Sequence, residues 1–285
     1  METTFVNLNG ELLDAGAPVL LADNRAFHYG DGVFESMYFS SGEILFYDDH
    51  FARLTKAMKT LCVRSHENLT MNNLRFHIHA LVQANKITKG ARIRIEIFRN
   101  GGGRYTPENN DSSFLIQAQP LPDNNYSFNQ EGLRIDIFND LKKQLNIFSP
   151  YKTASSLLFV MAGLYQQKNN LDDCIILNER GDVCEANGSN VFIVMNNTVI
   201  TPPVSDGCID GVMRKNLLRI LSAENISYSE QTISVTGLFD ADETFLTNVS
   251  KGIRWVGAVK QKRYFHKLSK SLSAMLMEWC ETKKV

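Results

Sequence analysis

Pro120-Leu121-Pro122-Asp123-Asn124-Asn125 divides this sequence of 285 residues. Two prolines and three turn-forming residues stand together there, and neither a helical nor a strand period runs through them. On the N-terminal side, Phe51, Leu54, Met58 and Leu61 recur at helical spacing behind Asp48 and Asp49, which are placed to cap the helix start. Met71, Leu74, Ile78, Leu81 and Val82 predict a second helix. Ile93-Arg94-Ile95-Glu96-Ile97 alternates as a strand with one buried face, and Phe114–Gln119 reads as its partner across a glycine turn at Gly101–Gly103. On the C-terminal side the pattern restarts with Leu133, Ile135 and Ile137. A helix carrying Leu157, Leu158, Met161, Leu164 and Tyr165 follows, then strands at Cys174–Leu177, Val191–Met195 and Thr198–Thr201. Helices over Val212–Ala223 and around Leu268–Trp279 complete the pattern. The expectation is two α+β domains, residues 1–119 and a larger 126–285, joined by a linker at 120–125.

Composition sets limits around that outline. Hydrophobic residues make up 44% and charged residues 21%, which suits a folded chain rather than a disordered one. The longest apolar runs fall short of the roughly 18 residues that a membrane span needs. The first ten residues contain Glu2 and no basic residue ahead of an apolar core, so they are not read as a secretory signal. Thirty Lys and Arg against 31 Asp and Glu leave no field for nucleic acid or an anionic membrane, so neither partner is expected. The dense run Lys260, Lys262, Arg263, Lys267 and Lys270 reads as a solvated face. Five cysteines, an odd number with no C-x-x-C pair, point to reduced thiols and a cytoplasmic location.

The chemistry-bearing stretches are short. No G-x-x-x-x-G-K-[ST] loop is present, and Gly101-Gly102-Gly103 suits a hairpin turn better than a nucleotide cradle. His77 and His79 sit two apart on a predicted helix and so point in different directions; they read as surface histidines, and no metal site is expected. Lys152 lies between Pro150 and an apolar helix. A lysine in a dry pocket is partly stripped of its charge by desolvation and becomes a usable nucleophile and base. Glu185-Ala186-Asn187-Gly188-Ser189-Asn190 runs directly into an apolar strand. Cys208-Ile209-Asp210-Gly211-Val212-Met213-Arg214 leads into a helix whose first amides suit an anion, although an ordinary cap by Asp210 would look the same.

Taken in order, these stretches resemble the class IV aminotransferase family of pyridoxal-phosphate enzymes. That family includes branched-chain and D-amino acid aminotransferases and 4-amino-4-deoxychorismate lyases. The resemblance runs from about Asn7 to Val259. It is carried by Asn24-Arg25-Ala26-Phe27-His28-Tyr29-Gly30-Asp31-Gly32-Val33-Phe34-Glu35, by His50-Phe51-Ala52-Arg53-Leu54, by Lys152 and by Glu185 through Phe192. Gly211-Val212-Met213-Arg214 and Glu243-Thr244-Phe245-Leu246-Thr247-Asn248 complete it. It implies the two-domain α+β fold of D-amino acid aminotransferase-like enzymes (fold type IV), pyridoxal 5'-phosphate as cofactor and a homodimer.

Residue by residue, Lys152 matches the lysine that binds the cofactor aldehyde covalently and later moves the substrate proton. Glu185 matches the carboxylate on the pyridine nitrogen, and Arg53 the phosphate-binding arginine. The amides of Val212 and Met213 match the helix-terminus phosphate cup, with Asn248 and Val249 on its far side. Phe27, Tyr29, Phe34, Ser36 and Tyr38 would line the substrate pocket, and Arg99 and Arg104 would either grip a substrate carboxylate or stand on a solvent-facing hairpin tip. The implied activity is transfer of an amino group between an amino acid and a 2-oxo acid. The alternative is a lyase releasing pyruvate and p-aminobenzoate for folate synthesis. Retention of Lys152, Glu185 and Arg53 together argues against a non-catalytic binding protein. Met213 and Val249 stand where threonines are common in the family, and Trp255 where a proline is usual. Leu157 stands where branched-chain enzymes place a tyrosine, which weakens that specificity in particular.

Overall fold

The computed structural model describes residues 4–282. Glu2 and the extreme ends of the two expected domains therefore lie outside the described residues. The chain divides into two units, one of residues 1–125 with Tyr151–Ser156, the other of 126–150 with Leu157 onward.

The first unit runs β1 (Phe5–Leu8), β2 (Glu11–Asp14), α1 (Arg25–Tyr29), β3 (Gly32–Ser40), β4 (Glu43–Ile44), α2 (Tyr47–Thr60), α3 (Met71–Ala84), β5 (Ala91–Arg99) and β6 (Ser112–Pro120). Its six strands pair antiparallel in the order β2-β1-β6-β5-β3-β4. Ile93, Ile95 and Ile97 turn one face of β5 inward, and Phe114, Ile116 and Ala118 do the same on β6. Leu54 and Met58 of α2 and Leu74, Ile78 and Leu81 of α3 close this core. This is the alternation expected of a sheet with one buried face.

Two local expectations need correcting. Asp48 and Asp49 do not cap α2; they fall in its first turn, where negative charge meets the positive end of the helix dipole, and the capping position is Phe46. His77 and His79 are half-buried rather than surface residues, with His79 edge-on to Phe39 at 5.3 Å. Among the described residues no group of three or more His, Cys, Asp or Glu could hold a metal ion.

The segment at 120–125 is tied to this unit. Leu121 N–H donates to Gly90 O at 2.7 Å, and the Tyr38 hydroxyl donates to Asp123 O at 3.0 Å. Tyr151–Ser156, expected with the C-terminal domain, also packs here. Thr153 bridges Val33, Phe34 N–H donates to Lys152 O at 2.8 Å, and Ala154 N–H donates to Gly32 O at 2.9 Å. The short run thus behaves as an added edge on β3.

The second unit runs β7 (Leu133–Lys143), α4 (Leu157–Lys168), β8 (Asp173–Asn178), β9 (Val183–Ala186), β10 (Asn190–Met195), β11 (Thr198–Thr201), α5 (Val212–Ala223), β12 (Tyr228–Glu230), α6 (Val235–Asp240), β13 (Glu243–Asn248), β14 (Gly252–Val259), β15 (Lys262–Arg263) and α7 (Lys267–Thr282). The sheet order is β12-β11-β10-β13-β14-β7-β8-β9, with β15 on β14. β7 is flanked by parallel partners, β14 and β8, whereas β9 folds back antiparallel on β8 and pairs Glu185 with Ile176. All four residues of β9 are buried, so its glutamate cannot turn to water. Phe192 and Phe245 stack at 5.2 Å across β10 and β13.

Candidate active site

In the first unit the expected residues gather around β3. Glu35 is buried on this strand. It accepts from Arg53 Nε at 2.6 Å and Nη2 at 2.7 Å, and pairs with His50 Nδ1 at 2.8 Å. His50 and Arg53 lie three apart on α2, so one turn of helix delivers both to the same carboxylate. Burial pushes the Glu35 carboxyl up, but the Arg53 charge and the hydrogen bonds from His50 and Arg53 outweigh it, and the carboxyl settles at about 2. Burial lowers the His50 imidazole below its ordinary range. The ring is therefore neutral at pH 7 and donates through Nδ1, while its buried Nε2 has no hydrogen-bond partner.

Lys152 is half-buried beside this group, with Nζ 5.3 Å from the Phe34 ring centroid. The Arg94 guanidinium lies 3.9 Å from the same centroid.

The glycines of the Asn24–Glu35 stretch have a physical reason. Asn24 caps α1 through Ala26 and Phe27 N–H, and Gly30 ends it at φ 66°. A Cβ on Gly30 would come 3.1 Å from the Ser155 backbone, so the left-handed turn and the approach of the Lys152 segment both call for glycine.

Arg99 does not do what was expected of it. Nε bonds Asp31, Nη1 bonds Cys62 O and the Asn110 side chain, and Nη2 bonds Leu61 O. A buried guanidinium satisfied in this way braces the loop and does not reach for a ligand. Tyr38 is likewise buried, with its hydroxyl on Asp123 O. Phe27, Tyr29, Arg104 and Tyr105 are exposed, and Phe34 and Ser36 are half-buried. Sequence reading gave no role to Arg25. It bonds Asp31 through Nε at 2.8 Å and the carbonyls of Gly102, Gly103 and Arg104 through Nη1 at 3.2, 3.1 and 2.7 Å. It therefore shapes the loop that presents Arg104 and Tyr105.

In the second unit Glu185 is buried with both oxygens engaged, Oε2 by Ile209 N–H at 3.0 Å and Oε1 by the Lys143 ammonium. Lys143 escaped the sequence reading. No periodic signal pointed to it, because the alternation of β7 stops after Ile137: Phe138 is buried, residues 139–142 are exposed, and the register shifts before Lys143. Ile209 opens the turn into α5. Asn190 Nδ2 donates to Ile209 O at 2.8 Å, and a Cβ on Gly211 would fall 1.9 Å from Asn190 Oδ1. The capping position of α5 is Gly211, which has no side chain to cap with, so Asp210 is not at the N-cap. Val212 and Met213 are buried in its first turn. Asn248 bonds Gly188 O and the Ser189 hydroxyl through Nδ2, and its Oδ1 accepts Ser250 and Lys251 N–H. The Val249 carbonyl accepts from the Tyr126 hydroxyl at 2.7 Å.

A helix start whose capping residue is a glycine, with Asn190 Oδ1 close against it, suits a phosphate dianion. A buried carboxylate suits a protonated ring nitrogen, and a half-buried lysine on a fixed backbone suits an aldehyde. These features fit pyridoxal 5'-phosphate, and the fold is that of fold-type IV pyridoxal-phosphate enzymes. A branched-chain aminotransferase from Thermoproteus uzoniensis, solved with norvaline, superposes with a TM-score of 0.87 at 23% identity, covering 96% of this chain and 93% of that one. The chain belongs to the amino-transferase class IV family, whose model matches residues 32–259, and it is a pyridoxal-phosphate-dependent enzyme. Among curated relatives, a Methanocaldococcus jannaschii protein with the provisional name branched-chain-amino-acid aminotransferase is 26% identical over 251 residues, 87% of this chain and 85% of that one. The aminodeoxychorismate lyase of Vibrio harveyi is 24% identical over 238 residues, 83% and 86% of the two chains. No helix among the described residues is long and apolar enough to cross a membrane.

Proposed function

We propose that this class IV aminotransferase moves an amino group between an amino acid and a 2-oxo acid in two half-reactions, with Lys152 as its catalytic residue. The cofactor, when bound, supplies the electron sink that stabilises negative charge at the substrate Cα. Lys152 Nζ would anchor the cofactor and, once the substrate amine has displaced it, would take the substrate Cα proton as the neutral amine and hand it on from Nζ. Its carbonyl and the Ala154 amide are bonded to β3, so the amine moves mainly on its side chain. Glu185 keeps the ring nitrogen protonated. Arg53, aimed by Glu35 and His50, and the first amides of α5 hold the phosphate, with Asn248 and Val249 beside them. Phe27, Tyr29, Phe34 and Arg104 meet the substrate.

The observation that carries this reading is the buried Glu185 on β9, joined through Ile209 N–H to the turn into α5, whose capping residue is Gly211. Borohydride reduction of the holoenzyme followed by peptide mapping tests it. The cofactor should be fixed on Lys152, and its recovery on any other lysine refutes the assignment. The reaction is tested by incubation with an amino acid panel and 2-oxoglutarate. Amino transfer supports the transaminase. No transfer from any D- or L-amino acid, together with pyruvate release from aminodeoxychorismate, gives the lyase, to which the Vibrio relative points.

We also propose a homodimer. On α4, Leu158, Phe159 and Tyr165 pack inward against Phe138, Cys174 and Ile176. Leu157, Val160, Met161 and Leu164 form an outward stripe at i, i+3, i+4 and i+7, with Leu157 76% exposed. A second copy covering this stripe would remove it from water, and Val160→Glu should shift the mass in solution to that of a monomer. A cytoplasmic location agrees with five cysteines of which none is in a disulfide.

A further inference from the structure

Lys143 is the last residue of β7 and is almost wholly buried, its side chain 9% exposed against 3% for Glu185. Its ammonium donates to Glu185 Oε1 and lies 5.4 Å from the Phe159 ring centroid. Its own carbonyl accepts from Glu179 N–H at 3.0 Å, so the backbone that carries it is fixed. The second carboxylate oxygen is held by Ile209 N–H. Each oxygen therefore uses one acceptor position and keeps another for a further donor. The other titratable or charged groups about the pair are Cys184 on β9 and Cys208, Asp206, Asp210 and Arg214 on the stretch into α5. Asp206 is paired with Arg180 and Arg214 with Glu230. Lys143 is the cation in direct contact with the carboxylate.

We propose that Lys143 is a positioning residue for the cofactor ring nitrogen, acting through Glu185. This rests on the role given to Glu185 above. Two effects follow from the contact. The ammonium fixes the carboxylate rotamer and supplies the opposite charge in a site where an unpaired charge is costly. It also offsets part of the carboxylate charge, so Glu185 holds the ring-nitrogen proton less tightly than an unaccompanied glutamate would. Lys143 thereby sets how strongly the cofactor withdraws electrons at a given pH.

The test is the holoenzyme loaded with 15N-labelled pyridoxal phosphate, its ring-nitrogen chemical shift followed against pH. Lys143→Met should raise the midpoint of ring-nitrogen deprotonation by about one pH unit, a tenfold change in proton affinity. Lys143→Arg keeps the charge and should leave the midpoint in place. Lys143→Gln serves the same end if the methionine variant does not fold. A midpoint that stays put or falls in the uncharged variants overturns the proposal, even if they are less stable, because a purely structural role would change stability alone. Glu185→Gln separates the two readings. If it leaves the ring-nitrogen shift unchanged, the role of Glu185 itself is wrong. If it abolishes the protonated signal while Lys143→Met has no effect, only the role of Lys143 falls.

Discussion

Replacing Glu35 by glutamine should destabilise the apoprotein strongly at neutral pH, and the penalty should shrink as the solution is acidified. Glu35 is buried and carries two bonds from Arg53 and one from His50. Glutamine leaves the Arg53 guanidinium, 6% exposed, without its counter-charge. Removing one partner of a buried pair costs about 3–5 kcal/mol. The carboxyl gives a second route to the magnitude. It falls from 4.5 to about 2 on folding, which makes its ionisation worth about 3 kcal/mol at pH 7.

A carboxylate lowered on folding stabilises above its unfolded value and loses that contribution as pH drops toward its folded value. With those two values the wild type should forfeit about 1 kcal/mol of this contribution by pH 4 and about 2 by pH 3, whereas the glutamine variant has none of it to lose. Burial also lowers His50, so it opposes folding as pH falls below its unfolded value, and the comparison is best made in a His50→Gln background. Urea denaturation of both proteins from pH 7 to pH 3 measures the gap. A variant within 1 kcal/mol of wild type at pH 7, or a gap that stays constant on acidification, would refute the reasoning.

Three further outcomes follow from the same geometry. Gly211→Ala places a methyl group 1.9 Å from Asn190 Oδ1. It should weaken pyridoxal-phosphate binding at least about tenfold by fluorescence titration, a loss of about 1.4 kcal/mol or more, with far-UV circular dichroism unchanged. Arg25→Gln removes the donor that gathers the carbonyls of residues 102–104, so limited trypsin digestion should cut after Arg104 faster than in wild type; an unchanged rate would show that the loop is held by other contacts. Cys62 is exposed, Cys280 is buried, and burial pushes the thiols of Cys174 and Cys208 up to about 12 and that of Cys184 higher still. Ellman's reagent at pH 8 should therefore titrate one thiol in the native protein and five after denaturation.

Periodicity alone located α2, α3, α5 and α7 and the pairing of β5 with β6, because a helix or strand with one buried face repeats its apolar residues at a fixed interval. The Asn24–Glu35, Glu185–Phe192 and Gly211–Arg214 stretches, each an ordinary turn or helix start when read alone, stood out only through their order along the chain and the family resemblance that order carries. Arg99 and Tyr38 were misread for a different reason. Whether an arginine reaches a ligand or braces a loop depends on which carbonyls stand around it, and Leu61 and Cys62 arrive from almost forty positions away.

What the sequence determined by itself was the α+β class, the family and the identity of the residues at its motif positions, since these rest on spacing along the chain. Only the tertiary structure decided the company those residues keep. It placed Lys152 on the edge of β3 in the first unit, through the Phe34 N–H to Lys152 O bond and the Ala154 N–H to Gly32 O bond beside it. It joined Arg53 to Glu35 and His50, and set Lys143 against Glu185, 42 residues away. Burial removes the water that would otherwise neutralise a charge, so each buried charge must be met by another, and that partner is chosen by the fold and not by nearness in sequence.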